Sequence, residues 1–516
     1  MWKKVVFAFL APAILILLPV LLRQKESAIF QPSNTETDTI VVISPHPSPI
    51  KYEFEYAFRN HYRKTTGRDV KIDWRDIGGS SDIARYITSS YTAEFRNFWT
   101  KSGHKWDKET EVSFRLKNAT TQARKEFLNS NVSIGIDIVF GGGTFTLSQI
   151  ADAGFAVDGG VQKRHPEYFR DIPQNISSEQ IYNPQGLFYG CCVCSFGIAY
   201  NPDRCKDANV QPPESWDDLA KPHFFQKIEI GDPTKSGSIM QCYEIILQHA
   251  MDRYPDDPNT GFQEGFRLIK LIAANSIYIT DSASKLVHDV SNGTIMAGMS
   301  IDFYSFTETE WSQKYVGKPT LLYVMPANAS IISADPAQLL RGAPNKQIAE
   351  MFLDFLISPE GMQIWCKKAG IPGGPHKFPL LRCPANEAVL KNTPRNERCF
   401  PDYNPFALAD VHQKHSTRVS KYYSLLQQLI KRIALDPLDD LHNARQAILE
   451  NGGDEANPDA LECIAKLPFS FNQLADINDK INHASPTEKA AIMRGWTEFS
   501  IKQYRKATSL AKGGSK

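Results

Sequence analysis

The sequence predicts a two-lobed α/β fold that carries a helical C-terminal extension. Three observations predict it. Short β-branched runs alternate with helical runs in two separate sets, one before and one after a long apolar stretch at Leu187–Tyr200. The 516 residues exceed what a single hydrophobic core usually serves. Beyond Pro401 strand signals stop, and only helical ones continue to the basic end at Lys502–Lys516.

The elements follow in order. Thr39-Ile-Val-Val-Ile-Ser44 is a β-branched strand that runs into the loop Pro45-His46-Pro47. Tyr52 to Thr65 has helical spacing through Phe54, Phe58 and Tyr62, and Gly67 supplies a stop. Val70 to Trp74 alternates as a strand, and Gly78-Gly79-Ser80-Ser81-Asp82 opens a helix over Ile83–Tyr91. Tyr91 to Asn131 lacks strand signals and is expected to be a helical insertion. Ile134 to Phe140 returns to strand, turns at Gly141-Gly142-Gly143-Thr144, and enters a helix. Lys227–Ile230 followed by Thr234-Lys235-Ser236-Gly237-Ser238 repeats the plan, with Met240–Met251 helical. A helix is expected at Ala283–Asn292, a strand at Ile295–Ile301 ending in Asp302-Phe303-Tyr304, and a helix at Lys346–Leu356. The tail after Pro401 either packs on the core or forms its own helical unit.

The first segment stands apart. Met1-Trp2-Lys3-Lys4 is a short positive start, and Val5–Leu22 is nearly unbroken apolar sequence closed by Arg23 and Lys25. This reads as an uncleaved signal anchor just long enough to span a bilayer, with a cleaved export signal as the alternative. Either places the rest of the chain outside the cytoplasm. Ser27–Thr39 is a polar linker. A net charge of +1 gives no whole-chain electrostatic footprint for nucleic acid.

Nine cysteines would then meet an oxidising compartment. Cys191, Cys192 and Cys194 sit inside the apolar run without a flanking set at metal-ligand spacing, so burial as small hydrophobes is expected over zinc. Cys366, Cys383 and Cys399 lie in a loop-rich stretch with the makings of one disulfide.

Three loops share one device: a strand ends, small residues turn, and a helix begins. They are Gly78-Gly79-Ser80-Ser81, Gly142-Gly143-Thr144 after Gly141, and Thr234-Lys235-Ser236-Gly237-Ser238. N–H groups at a helix start are unpaired donors beside a partial positive charge, so such ends hold anions. They also lie beyond the carboxyl ends of strands, where α/β sheets bind ligands. His46 sits at another strand end. Asp302 and Tyr304, two apart on an extended backbone, would point to one side and meet a polar ligand together. Enzymatic signatures are missing: the sequence contains no G-x-S-x-G, H-E-x-x-H or phosphate-loop motif. No cofactor is expected.

Several ordered stretches resemble the solute-binding proteins of ABC transporters, in the two-lobed class that includes ferric-iron, thiamine and phosphorylated-compound binders. They are Ile43-Ser-Pro-His46, Trp74-Arg-Asp-Ile-Gly-Gly-Ser-Ser-Asp-Ile83 and Ile136-Asp-Ile-Val-Phe-Gly-Gly-Gly143. Pro213-Glu-Ser-Trp-Asp-Asp-Leu219, Asp232-Pro-Thr-Lys-Ser-Gly237 and Leu340-Arg-Gly-Ala-Pro-Asn-Lys346 into Phe352–Gly361 complete the set. The resemblance runs from about residue 39 to 400. It implies a periplasmic-binding-protein-like fold of type II, with ligand between the lobes, hinge closure and a permease partner; it does not imply an enzyme. The expected organisation is an anchor at 1–26, a linker at 27–38, a first lobe at 39–187 and 331–400, a second at 188–330, and a helical extension at 401–516. Ferric binders of this class present paired tyrosines where this chain has Phe303 and Tyr304, and a carboxylate near the loop that here is glycine. The expected ligand is therefore a small organic or phosphorylated anion. The alternative is a ferric site at His46 and Tyr304, and a second is an enzyme or regulatory domain on the same fold.

Overall fold

The computed structural model describes residues 37–176, 179–409 and 418–514. The anchor expected within residues 1–26 lies outside the described residues; among those described, no helix is long and apolar enough to cross a membrane.

The first lobe starts with β1 (Thr37–Ile43), helix α1 (Ser48–Thr66), β2 (Asp69–Arg75), α2 (Ser80–Lys101), β3 (Ile138–Phe140) and α3 (Gly143–Asp152). β1 pairs in parallel with β2 on one side and β3 on the other. Its residues alternate between the two faces: Ile40 and Val42 join a core with Phe54, Phe58 and Trp365, whereas Ile43 joins Tyr91, Phe95 and Phe127. Gly67 closes α1 at a φ of 73°, a left-handed conformation that glycine adopts at no steric cost. α2 continues well past Tyr91, and the stretch to Asn131 holds two further short helices and no strand, as expected of a helical insertion.

β4 (Tyr189–Tyr200) links the lobes, and every residue in it but Tyr200 is buried. Its apolar run suits a strand covered on both faces. In the second lobe come β5 (Ile228–Gly231), α4 (Gly237–Asp252), α5 (Pro258–Asn275), β6 (Ser276–Thr280), α6 (Ala283–Ser291), β7 (Ala297–Ile301) and α7 (Asp302–Tyr315). The chain returns through β8 (Ile332–Leu340), α8 (Lys346–Ile357) and α9 (Pro359–Cys366). Residues Tyr189–Ser195 of β4 pair antiparallel with β8, and Phe196–Tyr200 pair antiparallel with β7. Backbone hydrogen bonding therefore runs without a break through β4, in the order β2-β1-β3-β8-β4-β7-β5-β6. The side chains divide what the backbone joins, with separate cores around Trp365 and around Met240, Phe266 and Met299.

The extension holds α10 (Tyr423–Ile430), α11 (Leu438–Glu450), α12 (Pro458–Ala465) and α13 (Pro486–Ala511). It is not a separate unit. Leu426, Leu429, Leu441, Ile464 and Tyr504 belong to the same core as Met240 and Phe266. Lys270, buried in the second lobe, donates to the carbonyls of Ile464 and Lys466 at 2.9 and 2.6 Å. Its burial without a carboxylate pushes the ammonium pKa down to about 7.

All nine cysteines are free thiols, so the disulfide expected among Cys366, Cys383 and Cys399 is not formed. Cys191, Cys192 and Cys194 are buried in β4 as small apolar side chains.

Candidate ligand-binding site

A cavity of about 500 Å³ lies between the lobes. Helices that begin at its wall include α2 and α3 from the first lobe and α4 and α6 from the second. Each start is set by local chemistry. The Asp82 carboxylate turns back to accept from the Gly79 N–H at 3.2 Å. Ser236 caps α4 by accepting from the Ile239 N–H at 3.4 Å, and Ser282 caps α6 from Lys285 at 3.3 Å. α3 starts from Gly142 at a φ of 111°.

Of the residues singled out from the sequence, His46, Gly79, Ser80, Gly142, Gly143, Thr144, Lys235, Ser236, Gly237, Ser238 and Tyr304 line this cavity. Gly78, Ser81, Thr234 and Asp302 are not among its lining residues. Thr234 turns to its own loop, donating to Asp232 at 2.6 Å. The Asp302–Tyr304 pair does not act together. The strand ends at Ile301 and Asp302 already begins a helix, where side chains two apart diverge by roughly 200°. Tyr304 reaches the cavity, while Asp302 is buried and accepts from the Ser195 N–H at 2.8 Å and the Tyr403 hydroxyl at 2.8 Å. Burial raises its pKa to about 6 against those bonds.

The glycine loop already holds an anion that belongs to the chain. Asp335 of β8 accepts from the N–H groups of Gly142 and Gly143 at 2.9 and 3.3 Å through Oδ1. Its Oδ2 accepts from His46 Nε2 at 2.9 Å and from the Arg382 guanidinium at 2.5 Å. Burial alone would raise the Asp335 carboxyl; the His46 ring and Arg382 outweigh it and hold the group well below the usual carboxylate range. Burial likewise pushes the His46 imidazole below its ordinary value, so at neutral pH we assign a neutral ring donating from Nε2. The Arg382 guanidinium lies 3.6 Å from the Phe303 ring centroid. The loop needs glycine for close approach, because a Cβ on Gly141 would stand 2.6 Å from His46 Cε1. The Thr144 hydroxyl is also engaged, donating to the Ala334 carbonyl at 3.3 Å.

What remains open is positive. Among the described residues the N–H groups of Ser80, Gly237, Ser238, Ala283 and Ser284 have no acceptor, and the Lys235 ammonium has no partner. Asp335 is neutralised by Arg382, and Asp82 is paired with Arg85. Asp281 is the remaining carboxylate of the lining. No cluster of three or more His, Cys, Asp or Glu side chains suited to a metal occurs among the described residues.

The sequence reading missed Asp335, Arg382, Ser282–Ser284, Phe145 and Tyr423, all of which line the cavity. Thr280-Asp281-Ser282 ahead of α6 carries the same strand-to-helix signal as the three loops and was there to be read. Nothing local marks the others.

The model of the family described as bacterial extracellular solute-binding protein matches residues 136–403, just over half of the chain. A Haemophilus influenzae protein described only as uncharacterized is 23% identical over 267 residues, which cover 52% of this chain and 70% of that protein. Among solved structures, the chain is similar to periplasmic binding protein AfuA from Actinobacillus pleuropneumoniae with exogenous fructose-6-phosphate bound. That match has 17% identity and a TM-score of 0.47, covering 73% of this chain and 95% of AfuA. It is similar also to iron-bound HitA from Pseudomonas aeruginosa, at 15% identity and a TM-score of 0.47, covering 76% and 99%. The polyamine transporter subunit PotD of Streptococcus pneumoniae matches at 16% identity and a TM-score of 0.47, covering 76% and 98%.

Proposed function

The chain belongs to the bacterial extracellular solute-binding proteins, and we propose that it captures a small organic anion, in particular a phosphorylated one, in the cavity between its lobes. Solute-binding proteins of this kind deliver their ligands to ABC-type permeases outside the cytoplasm, and transport rather than catalysis is the family's business. The observation that carries the ligand class is the meeting of three helix starts with unpaired N–H groups, from two lobes, at one cavity that Lys235 also lines. A phosphate would accept from Ser80 on one side and from Gly237 and Ser238 on the other. Ser236 and Gly79 hold those loops in shape. Asp335, by filling the Gly142–Gly143 nest, limits the site to the remaining donors.

The ferric alternative at His46 and Tyr304 is disfavoured by charge. The carboxylate nearest His46 is already bonded to it and to Arg382, and a trivalent cation there would face that guanidinium. In the same reading residues 39–187 with 331–400 form the first lobe, 188–330 the second, and the segment 5–22 tethers the protein to the membrane.

Isothermal titration with inorganic phosphate, hexose phosphates, dicarboxylates and ferric citrate tests the ligand class. Lys235→Ala should weaken the best anion roughly 10- to 100-fold, the worth of one charge-assisted bond. Gly142→Asp should abolish binding, because it strains a backbone at a φ of 111° and adds charge beside Asp335. Binding of ferric citrate alone, kept by Lys235→Ala, would overturn the proposal.

A further inference from the structure

We infer that the C-terminal extension is a working part of the binding site: Tyr423 forms a wall of the ligand cavity and latches the closed lobes by stacking on Phe145. The inference rests on the assignment of that cavity as the ligand site, and extends it to a segment outside the matched family region, which ends at residue 403.

The contact brings together three parts of the chain. Phe145, in the first turn of α3, belongs to the first lobe, and its ring lies 3.8 Å from that of Tyr423 at an interplanar angle of 28°. Tyr423 opens α10 of the extension, is 7% exposed, and lines the cavity together with Phe145. Its hydroxyl donates to the Gly237 carbonyl at 3.3 Å, in the second lobe. A Cβ on Gly237 would stand 2.8 Å from Ser80 Oγ and 4.0 Å from the Tyr423 hydroxyl, so both lobes and the extension meet at this point.

The extension also shapes the loop that presents Lys235 and Ser236. The Gln427 side-chain amide donates to the Pro233 carbonyl at 2.7 Å, and Lys431 pairs with Asp232 at the head of the same loop. Ser420 hydrogen-bonds Glu244 of α4, and Gln248 donates to Ser420 at 3.1 Å. These contacts fix Tyr423 to the second lobe. Phe145 is fixed to the first, so hinge opening must part the two rings. A stacked aromatic pair adds specific attraction beyond its buried area. Ligand-free closure is thereby favoured, and the space left beside the rings sets the largest ligand the closed cavity admits.

The test compares Phe145→Ala, Tyr423→Leu and their double variant with wild type in the full-length protein. Small-angle X-ray scattering of the ligand-free protein reads the closed fraction, and titration with inorganic phosphate reads affinity. Each single variant should expand the particle and weaken phosphate binding about tenfold, and the double variant should add little to either. Tyr423→Phe should stay within about threefold of wild type, since it keeps the ring and loses one neutral bond. Unchanged scattering in both single variants, or effects that simply add, would overturn the latch. Phosphate that fails to bind wild type would count against the ligand class, whereas the scattering comparison still decides the latch. Phe145 is partly buried and packs against the core that holds Tyr423 without belonging to it, so a thermal melt of Phe145→Ala separates its effect from misfolding of the extension.

Discussion

Ser80 and Gly237 touch across the cleft: one starts a helix of the first lobe, the other a helix of the second, and a Cβ on Gly237 would lie 2.8 Å from the Ser80 hydroxyl. The lobes are therefore closed, and the position tolerates little bulk. Gly237→Val should leave the second lobe folded but hold the lobes apart. We expect at least a tenfold loss of anion affinity with thermal stability changed by less than about 1 kcal/mol, the range for a surface position in the open form. Titration together with a thermal melt checks both. An affinity equal to wild type would mean that closure does not bring these residues together.

Asp335 predicts a different failure. It is the counter-charge for a nearly fully buried Arg382, and its oxygens accept from His46 and two backbone N–H groups besides. Asp335→Asn strands that guanidinium, which should cost roughly 3–5 kcal/mol in urea unfolding. Adding Arg382→Met should recover part of the loss, since the uncompensated charge is then gone. Because the folded carboxyl is held below its unfolded value, its contribution is present above the ordinary carboxylate range and is lost as pH falls. The wild type should lose stability below about pH 4, and Asp335→Asn should lose less there.

Closure itself should depend on pH through Glu179. Burial, with the Glu244 carboxylate of the second lobe adding to it, raises Glu179 to about 7, and a Ser333 hydroxyl at 3.4 Å offsets this only in part. Glu244 is also raised by burial, and Tyr423 and Cys242 are further titratable groups in this surrounding. An acid whose pKa rises on closure costs nothing while protonated and opposes closure once ionised. The closed fraction should thus fall as pH rises through 7. Scattering from ligand-free protein at pH 5.5 and 8.5 measures it, and Glu179→Gln should flatten the difference. An equal slope in that variant would assign the effect elsewhere.

The lobes and the positive helix starts were legible in the sequence because they rest on local chemistry. A β-branched run followed by Gly, Ser and Thr before an amphipathic run reads the same wherever it occurs. The partners that complete the site were not legible, because they arrive from far along the chain. Asp335 meets Gly142 across 193 residues, and Arg382 meets His46 across 336. With no local signature, nothing in the neighbourhood of either residue announces the contact. The glycine loop consequently read as an empty anion nest, although a carboxylate of the same chain fills it. Asp302 was misread for a smaller reason: the helix starts at Asp302 itself, where the alternation of a strand no longer applies.

The nine free thiols bear on how the protein matures. Cys191, Cys192 and Cys194 lie close together on β4, and Cys192 and Cys194 pair across the backbone with Asp335 and Ser333 of β8. That strand emerges 139 residues after Cys194. An exported chain thus meets an oxidising compartment with three neighbouring thiols bare until a distant segment arrives to cover them. Folding outside the cytoplasm becomes a race between strand pairing and oxidation, in which a stalled chain is sealed into wrong disulfides and a finished one has no accessible thiol in β4 left to oxidise.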